Sequence, residues 1–197
     1  MRAVLETIKQ LVDEIYAMEP HKWRGVRRMV LRQPASPAAI KTFFTSAPGE
    51  GVPESYGELL SASDGVEQGW RRLCFLGTVA ARQKPILAVA KYKRDDEMGR
   101  FRAFEGEPTP KKIRDWEVKS GELFLAHHPI VATTGEGDLL VYDVHTKRKN
   151  GEAELCWWPR LEGIQARYPN IAAYFNAVLH EVERYHRSMK GGRTRKR

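Results

Sequence analysis

The chain has 197 residues, of which 42% are hydrophobic and 29% charged, with a formal net charge of +8. This size suits one domain with extended ends, and the composition excludes a disordered or fibrous protein. The apolar stretches, such as Ile86 to Ala90, are far shorter than the roughly 20 residues that cross a bilayer, and the N-terminus lacks the apolar run of a signal peptide. We therefore expect a cytoplasmic protein with no membrane partner.

The positive charge is concentrated near the two ends of the sequence. Residues 187–197 hold six cations and no acid, which leaves +2 on the other 186 residues. A second basic run extends from Lys22 to Arg32. Such blocks are usually solvated faces or tails, although clustered Lys and Arg also bind polyanions. Nucleic-acid or polyanion binding through the N-terminal segment and the basic tail is therefore the alternative function, and it is not favoured.

The first 65 residues read mainly as helices. Residues 3–18 have helical apolar spacing, whereas residues 21–33 fit a strand or a short helix. Ser36 and Pro37 are typical of a helix start, because the hydroxyl accepts an amide and proline suits the first helical position. Pro53 opens another helix, which ends at Gly65. We assign residues 1–35 to an N-terminal helix and basic extension.

The middle of the chain reads as a run of strands, and a helix follows it. Short apolar or alternating segments predict antiparallel strands at 71–77, 85–92, 100–105, 123–125, 130–133, 138–143 and 153–158. Apolar residues from Ile171 to Tyr185 keep helical spacing. The expected fold is α+β, a mixed or antiparallel sheet flanked by N-terminal helices and a long C-terminal helix. The domain spans 36–189, and 190–197 form a disordered basic tail.

No arrangement of residues typical of catalysis or metal binding is visible. His127 and His128 are adjacent, so on a strand their side chains point to opposite faces and cannot readily chelate one ion. The remaining candidates lie far apart or fit a packed core, and these are His145, His180, His186, Asp138 with Asp143, and Cys74 and Cys156, which read as reduced core thiols. The sequence therefore predicts no catalytic residue, no metal ligand and no cofactor.

Residues 36–76 carry a resemblance to a known family. Val52-Pro53-Glu54-Ser55-Tyr56 matches an "L-P-x-x-Y" element, Ser63-Asp64-Gly65 stands at the following turn, and Leu73 to Leu76 is similar to a first strand. Leu139 to Asp143 and the helix from Ile171 to Val182 resemble later elements of the same pattern. Together these motifs resemble the SUKH superfamily, of the Smi/Knr type, over roughly residues 36 to 186.

The resemblance implies a SUKH-like fold and, in the bacterial immunity-protein branch, a non-enzymatic protein that neutralises a cognate toxin domain by direct binding. Many such toxins are basic nucleases, so this nearly neutral domain needs either an acidic partner or a local acidic patch. Trp157 and Trp158 are adjacent on a predicted strand, so one enters the core and the other faces outward as an aromatic anchor, unless the outer face is also covered. The charged residues expected to set register and partner choice are Asp64, Glu67, Asp143 and Glu154.

Overall fold

The protein is an α+β domain, as the sequence predicts. The computed structural model describes residues 1–22, 28–68, 72–134, 136–159 and 163–194. The helices are α1 (Arg2–Met18), α2 (Pro37–Phe44), α3 (Tyr56–Ala62), α4 (Ala80–Glu105), α5 (Pro110–Ser120) and α6 (Ile171–Thr194). The strands are β1 (Val30–Leu31), β2 (Val66–Glu67), β3 (Cys74–Phe75), β4 (Ile130–Thr133), β5 (Leu139–Asp143), β6 (Glu154–Trp158) and β7 (Ala166–Tyr168). Within these ranges, none of the helices combines the length and apolarity that a membrane span requires.

The strands form two antiparallel sheets. β1 pairs with β2 in a small ribbon, and β3 to β7 lie side by side in chain order in a five-stranded sheet. The longest pairing joins β5 to β6, from Leu139 opposite Trp158 to Asp143 opposite Glu154. Within each sheet, strands that are consecutive in sequence are therefore neighbours, which is the order that short connections favour.

Helices cover both faces of the five-stranded sheet. Leu140 and Tyr142 of β5 belong to the main core, which also contains buried residues of α1, α3 and α6. Leu139 and Val141 alternate with them and join a second cluster that includes Ala90 of α4. All five residues of β5 are consequently buried, which explains why this strand reads as a continuous apolar run with no polar alternation.

Two residues of the sequence motif at 52–65, Tyr56 and Gly65, have defined structural roles beside the main core. Tyr56 is fully buried, and its hydroxyl donates a hydrogen bond to the Leu76 carbonyl at 2.9 Å. Gly65 has a φ of 85°, and a Cβ there would lie 3.0 Å from the Phe75 carbonyl oxygen. Glycine meets both demands, since it tolerates positive φ and close backbone approach.

The central strands predicted at 85–92 and 100–105 are wrong, because both segments lie in α4. The buried positions of this helix are Gln83, Ile86, Ala90, Glu97 and Phe101, a spacing of 3, 4, 7 and 4 residues that is helical. Gln83 and Glu97 are polar, so the apolar residues alone do not show the helical period of α4. The strand predicted at 123–125 is also absent, and a 3-10 turn begins there at Leu125.

The sequence analysis does not predict helix α5, although residues typical of a helix start and a helix end flank it. The Thr109 hydroxyl accepts the Lys112 amide, Pro110 occupies the first turn, and Gly121 ends the helix in the left-handed conformation. Its residues Ile113 and Trp116 pack with Phe101 of α4 and with Phe124 in a third, small apolar cluster. This packing fixes α5 beside the outer face of the sheet.

The terminal helix continues further than the sequence predicts. α6 extends to Thr194, five residues into the segment predicted to be a disordered tail, and 195–197 lie outside the described residues. Extending a formed helix costs much less than starting one, which is the physical reason for the difference. At the N-terminal side, β1 supports the strand alternative for residues 21–33 at Val30 and Leu31, whereas 23–27 are not described.

Candidate functional site

The two adjacent tryptophans lie on opposite faces of the sheet. Trp157 is 6% exposed and belongs to the main core. Trp158 is only partly buried and packs at the edge of the second cluster, on the face that α4 covers. The outer face is therefore covered in part, and Trp158 is the member of the pair that remains accessible.

Trp158 lines a cleft between α4, α5 and the outer face of the sheet, which we call the Trp158 cleft. Its volume is about 230 Å³, and its aromatic walls are Phe101, Phe104, Trp116 and Trp158. Phe104 is 85% exposed, an unusual environment for a phenylalanine side chain. Phe101 and Trp116 meet edge to face with their ring centroids 6.3 Å apart, so these two walls support each other.

The Trp158 cleft is lined by three carboxyl groups and two cationic side chains. Glu97, Glu105 and Glu122 line it together with Lys93 and Arg100. Glu97 is 5% exposed, and its Oε2 accepts a hydrogen bond from the Leu125 amide at 2.7 Å. Burial raises the pKa of Glu97 to about 8, against a smaller opposing effect of that hydrogen bond and of Arg100. The cleft therefore holds a carboxyl group that is largely protonated at neutral pH and would gain from a cation beside it.

Two of the carboxylates expected to face a partner are buried instead. Asp64 is 6% exposed and accepts hydrogen bonds from the Thr78 amide and, at 3.0 Å, the Thr78 hydroxyl. Asp143 is 4% exposed and accepts from the His145 amide at 3.0 Å and from Arg167 at 2.7 Å. Each carboxylate satisfies backbone donors at a chain turn, so both are buried in this structure, and their role in binding stays a prediction.

The other two predicted carboxylates are half-exposed and paired. Glu67 accepts two hydrogen bonds from Arg32, at 2.9 and 2.6 Å, and Glu154 lies 3.3 Å from Arg167. Asp64 and Glu67 line a second groove of about 390 Å³ at the beginning of α4. The structure therefore brings Asp64 to Glu67 and Asp143 to Glu154, but it places neither pair in the lining of the Trp158 cleft.

A cluster of Glu117, His128 and His145 is the feature that sequence reasoning missed. His128 Nε2 lies 3.1 Å from Glu117 Oε1, and His145 Nε2 lies 2.8 Å from Glu117 Oε2. The three residues come from α5, from the turn before β4 and from the turn after β5. Distant segments supply them, so a search for closely spaced ligands does not find them, and His127 of the adjacent pair instead packs edge-on against Phe124.

Hydrogen bonds and burial hold Glu117 and His128 of this cluster in place, while His145 is half-exposed. The His128 side chain is fully buried and that of Glu117 is 9% exposed, whereas that of His145 is 48% exposed. Burial alone would raise the pKa of Glu117, but hydrogen bonds from the Phe124 amide, His128 and His145 outweigh it and lower the pKa below its ordinary value. Arg94 of α4 donates to the Leu125 and His128 carbonyls, at 2.9 and 3.0 Å, and so fixes the turn that carries His128.

No family model matches the sequence, and a search of curated proteins finds no match.

Proposed function

We propose that this protein is a non-enzymatic binding protein that neutralises a cognate bacterial toxin as its immunity partner, and that the Trp158 cleft is the centre of its binding surface. The observation that carries the proposal is the combination, in one accessible cleft, of four aromatic walls with the buried carboxyl group of Glu97. Aromatic residues in desolvated pockets supply much of the affinity of protein interfaces. The motif resemblance to SUKH proteins is the reason for proposing a bacterial toxin as the partner.

The size of the cleft favours a side chain over a small-molecule substrate. At about 230 Å³ it is smaller than the roughly 300–1,000 Å³ of ordinary ligand pockets. One long side chain of a partner would fill it and remain attached to a larger surface outside. Phe104, at the exposed end of α4, would extend the apolar contact beyond the cleft.

The chemistry of the cleft selects a basic side chain. A guanidinium or ammonium group that enters between the rings gains cation–π attraction from Trp116 and Trp158. The same cation would lie beside Glu97. Once the partner closes the cleft to water, Glu97 would lose its proton and form an ion pair with the cation. Glu105 and Glu122 also line the cleft, where Lys93 and Arg100 oppose a cation, so the ionisation of Glu97 gives the cleft the net negative charge that favours a basic toxin.

For the alternative function, polyanion binding, three cations of the basic runs that the structure describes have acidic neighbours. Arg32 of the N-terminal basic run is paired with Glu67, and Lys22 lies 3.3 Å from Glu19. Lys190 of the C-terminal run lies 3.7 Å from Glu14. Acidic neighbours thus partly neutralise these described cations, while residues 23–27 and 195–197 fall outside the described chain.

Co-purification with the product of the adjacent open reading frame tests the proposal. We expect a one-to-one complex that persists in about 0.5 M NaCl, because an aromatic and apolar interface survives the screening of surface charge. Generic DNA and RNA are expected to bind no better than micromolar, with an affinity that falls steeply with salt. Tight, salt-sensitive nucleic-acid binding without a protein complex would overturn the proposal in favour of the alternative function.

A further inference from the structure

The Glu117–His128–His145 cluster has the composition of a transition-metal site. It offers two imidazole nitrogens and a carboxylate, all within 4.8 Å of one another. Two histidines and one carboxylate, with a fourth position left for water, are a frequent donor set for Zn²⁺. We propose that this cluster binds one Zn²⁺ ion, and that the ion clamps α5 to the end of β5.

The donor atoms of the cluster lie near enough to one another for one zinc ion to reach all three residues after a small movement of the ligands. Zinc lies about 2.0–2.1 Å from its nitrogen and oxygen ligands, so tetrahedral ligand atoms lie about 3.3 Å apart. His128 Nε2 lies 3.1 Å from Glu117 Oε1 and His145 Nε2 lies 2.8 Å from Oε2, and the ligand atoms of the three residues all lie within 4.8 Å of one another. The His145 ring is half-exposed and can therefore move toward the ion. His128 and Glu117 are buried, so their positions are fixed.

The surroundings supply the contacts that orient metal ligands. The Phe124 amide donates to Glu117 Oε1 at 2.8 Å, which fixes the carboxylate and leaves Oε2 for the ion. His128 Nδ1 lies 3.2 Å from the Tyr142 carbonyl oxygen, the kind of acceptor that holds a zinc-bound imidazole by its second nitrogen. The Val144 amide also lies 3.2 Å from this Nδ1 and favours the other tautomer without metal. Zinc binding therefore moves the ring proton of His128 from Nε2 to Nδ1.

The fourth coordination position opens toward solvent. Glu117 and His145 line a surface groove together with Glu122, Arg114 and Arg167. The two arginines oppose a cation, but Arg167 is already bonded to Asp143 and Glu154. A divalent ion can thus reach the cluster and keep a water ligand, and its two positive charges replace the two imidazole hydrogen bonds to Glu117, while the bond from the Phe124 amide remains.

Zinc titration of the full chain after dialysis against EDTA tests the inference. Calorimetry is expected to show one zinc ion bound per chain, and His145→Ala is expected to weaken binding by at least about tenfold. His127→Ala removes an adjacent histidine outside the cluster and should leave the affinity unchanged. Zinc at about a hundredfold above its dissociation constant should raise the melting temperature by at least about 5 °C.

A second measurement keeps the test independent of the folding of any variant. Co²⁺ bound to the unmodified protein should give the visible absorption of a tetrahedral site, and NMR should report the His128 proton on Nδ1 only in the loaded form. Absence of stoichiometric zinc binding would overturn the inference, as would equal losses in His145→Ala and His127→Ala. None of these readouts involves the toxin, so the metal site and the proposed function fail or succeed separately.

Discussion

Replacing Glu97 with glutamine is expected to stabilise the folded protein at pH 8 by on the order of 4 kcal/mol, with little effect near pH 4. Burial raises the pKa of Glu97 to about 8 from an ordinary 4.5. Between these values the unfolded chain loses the proton while the folded protein keeps it, so the folded state loses stability as the pH rises. Glutamine has no proton to lose, and its carbonyl oxygen can still accept the Leu125 amide.

Urea denaturation of both proteins at several pH values between about 4 and 9 measures this effect. Glu105→Gln is the matched control, because it neutralises an exposed carboxylate at the end of the same helix. The free energies of unfolding of the wild type and Glu97→Gln should diverge with rising pH, whereas Glu105→Gln should follow the wild type. Parallel profiles for Glu97→Gln and the wild type would show that Glu97 is ionised in the folded protein.

Replacing Trp158 with alanine is expected to weaken the complex with the toxin by about 2 kcal/mol or more, which is roughly a thirtyfold rise in the dissociation constant. The substitution removes one aromatic wall of the cleft and its attraction for a cation. Trp158→Phe keeps a ring in the same place and should retain most of the affinity. Calorimetry or surface plasmon resonance with the purified complex partners measures the difference.

The control for this experiment is Tyr92→Ala, also an aromatic residue on the outer side of the molecule. Tyr92 lies on α4, is 68% exposed and does not line the Trp158 cleft. Its removal should change the affinity by less than about 0.5 kcal/mol, as surface substitutions usually do. If Tyr92→Ala and Trp158→Ala weakened the complex equally, with both variants folded, the cleft would not be the centre of the interface.

The parts of the fold that the sequence predicts well are those with an unambiguous apolar period. α1 and α6 each bury one apolar stripe, so their helical spacing is visible. α4 is different, because Gln83 and Glu97 occupy two of its buried positions and use their polar ends to bond the Gly77 carbonyl and the Leu125 amide. A period that includes polar residues cannot be recognised from hydrophobicity alone.

Most features of the candidate sites depend on tertiary contacts, which the sequence alone does not reveal. Adjacent residues on a strand are known to diverge, so the separation of Trp157 from Trp158 follows from local geometry. The meeting of Glu117, His128 and His145 depends on how α5 packs beside the sheet, which no local pattern specifies. Whether a carboxylate such as Asp64 is exposed likewise depends on the chain that folds over it, here at Thr78.

The central claim is that the protein acts by binding and not by catalysis, and a stoichiometric titration tests it most directly. The product of the adjacent open reading frame is purified, and its toxic activity is measured with increasing amounts of this protein. A tight-binding immunity protein reduces the activity linearly and abolishes it at one equivalent, with no further change over time. Progressive loss of activity at amounts well below one equivalent would contradict this account, because only a catalyst acts repeatedly on its target.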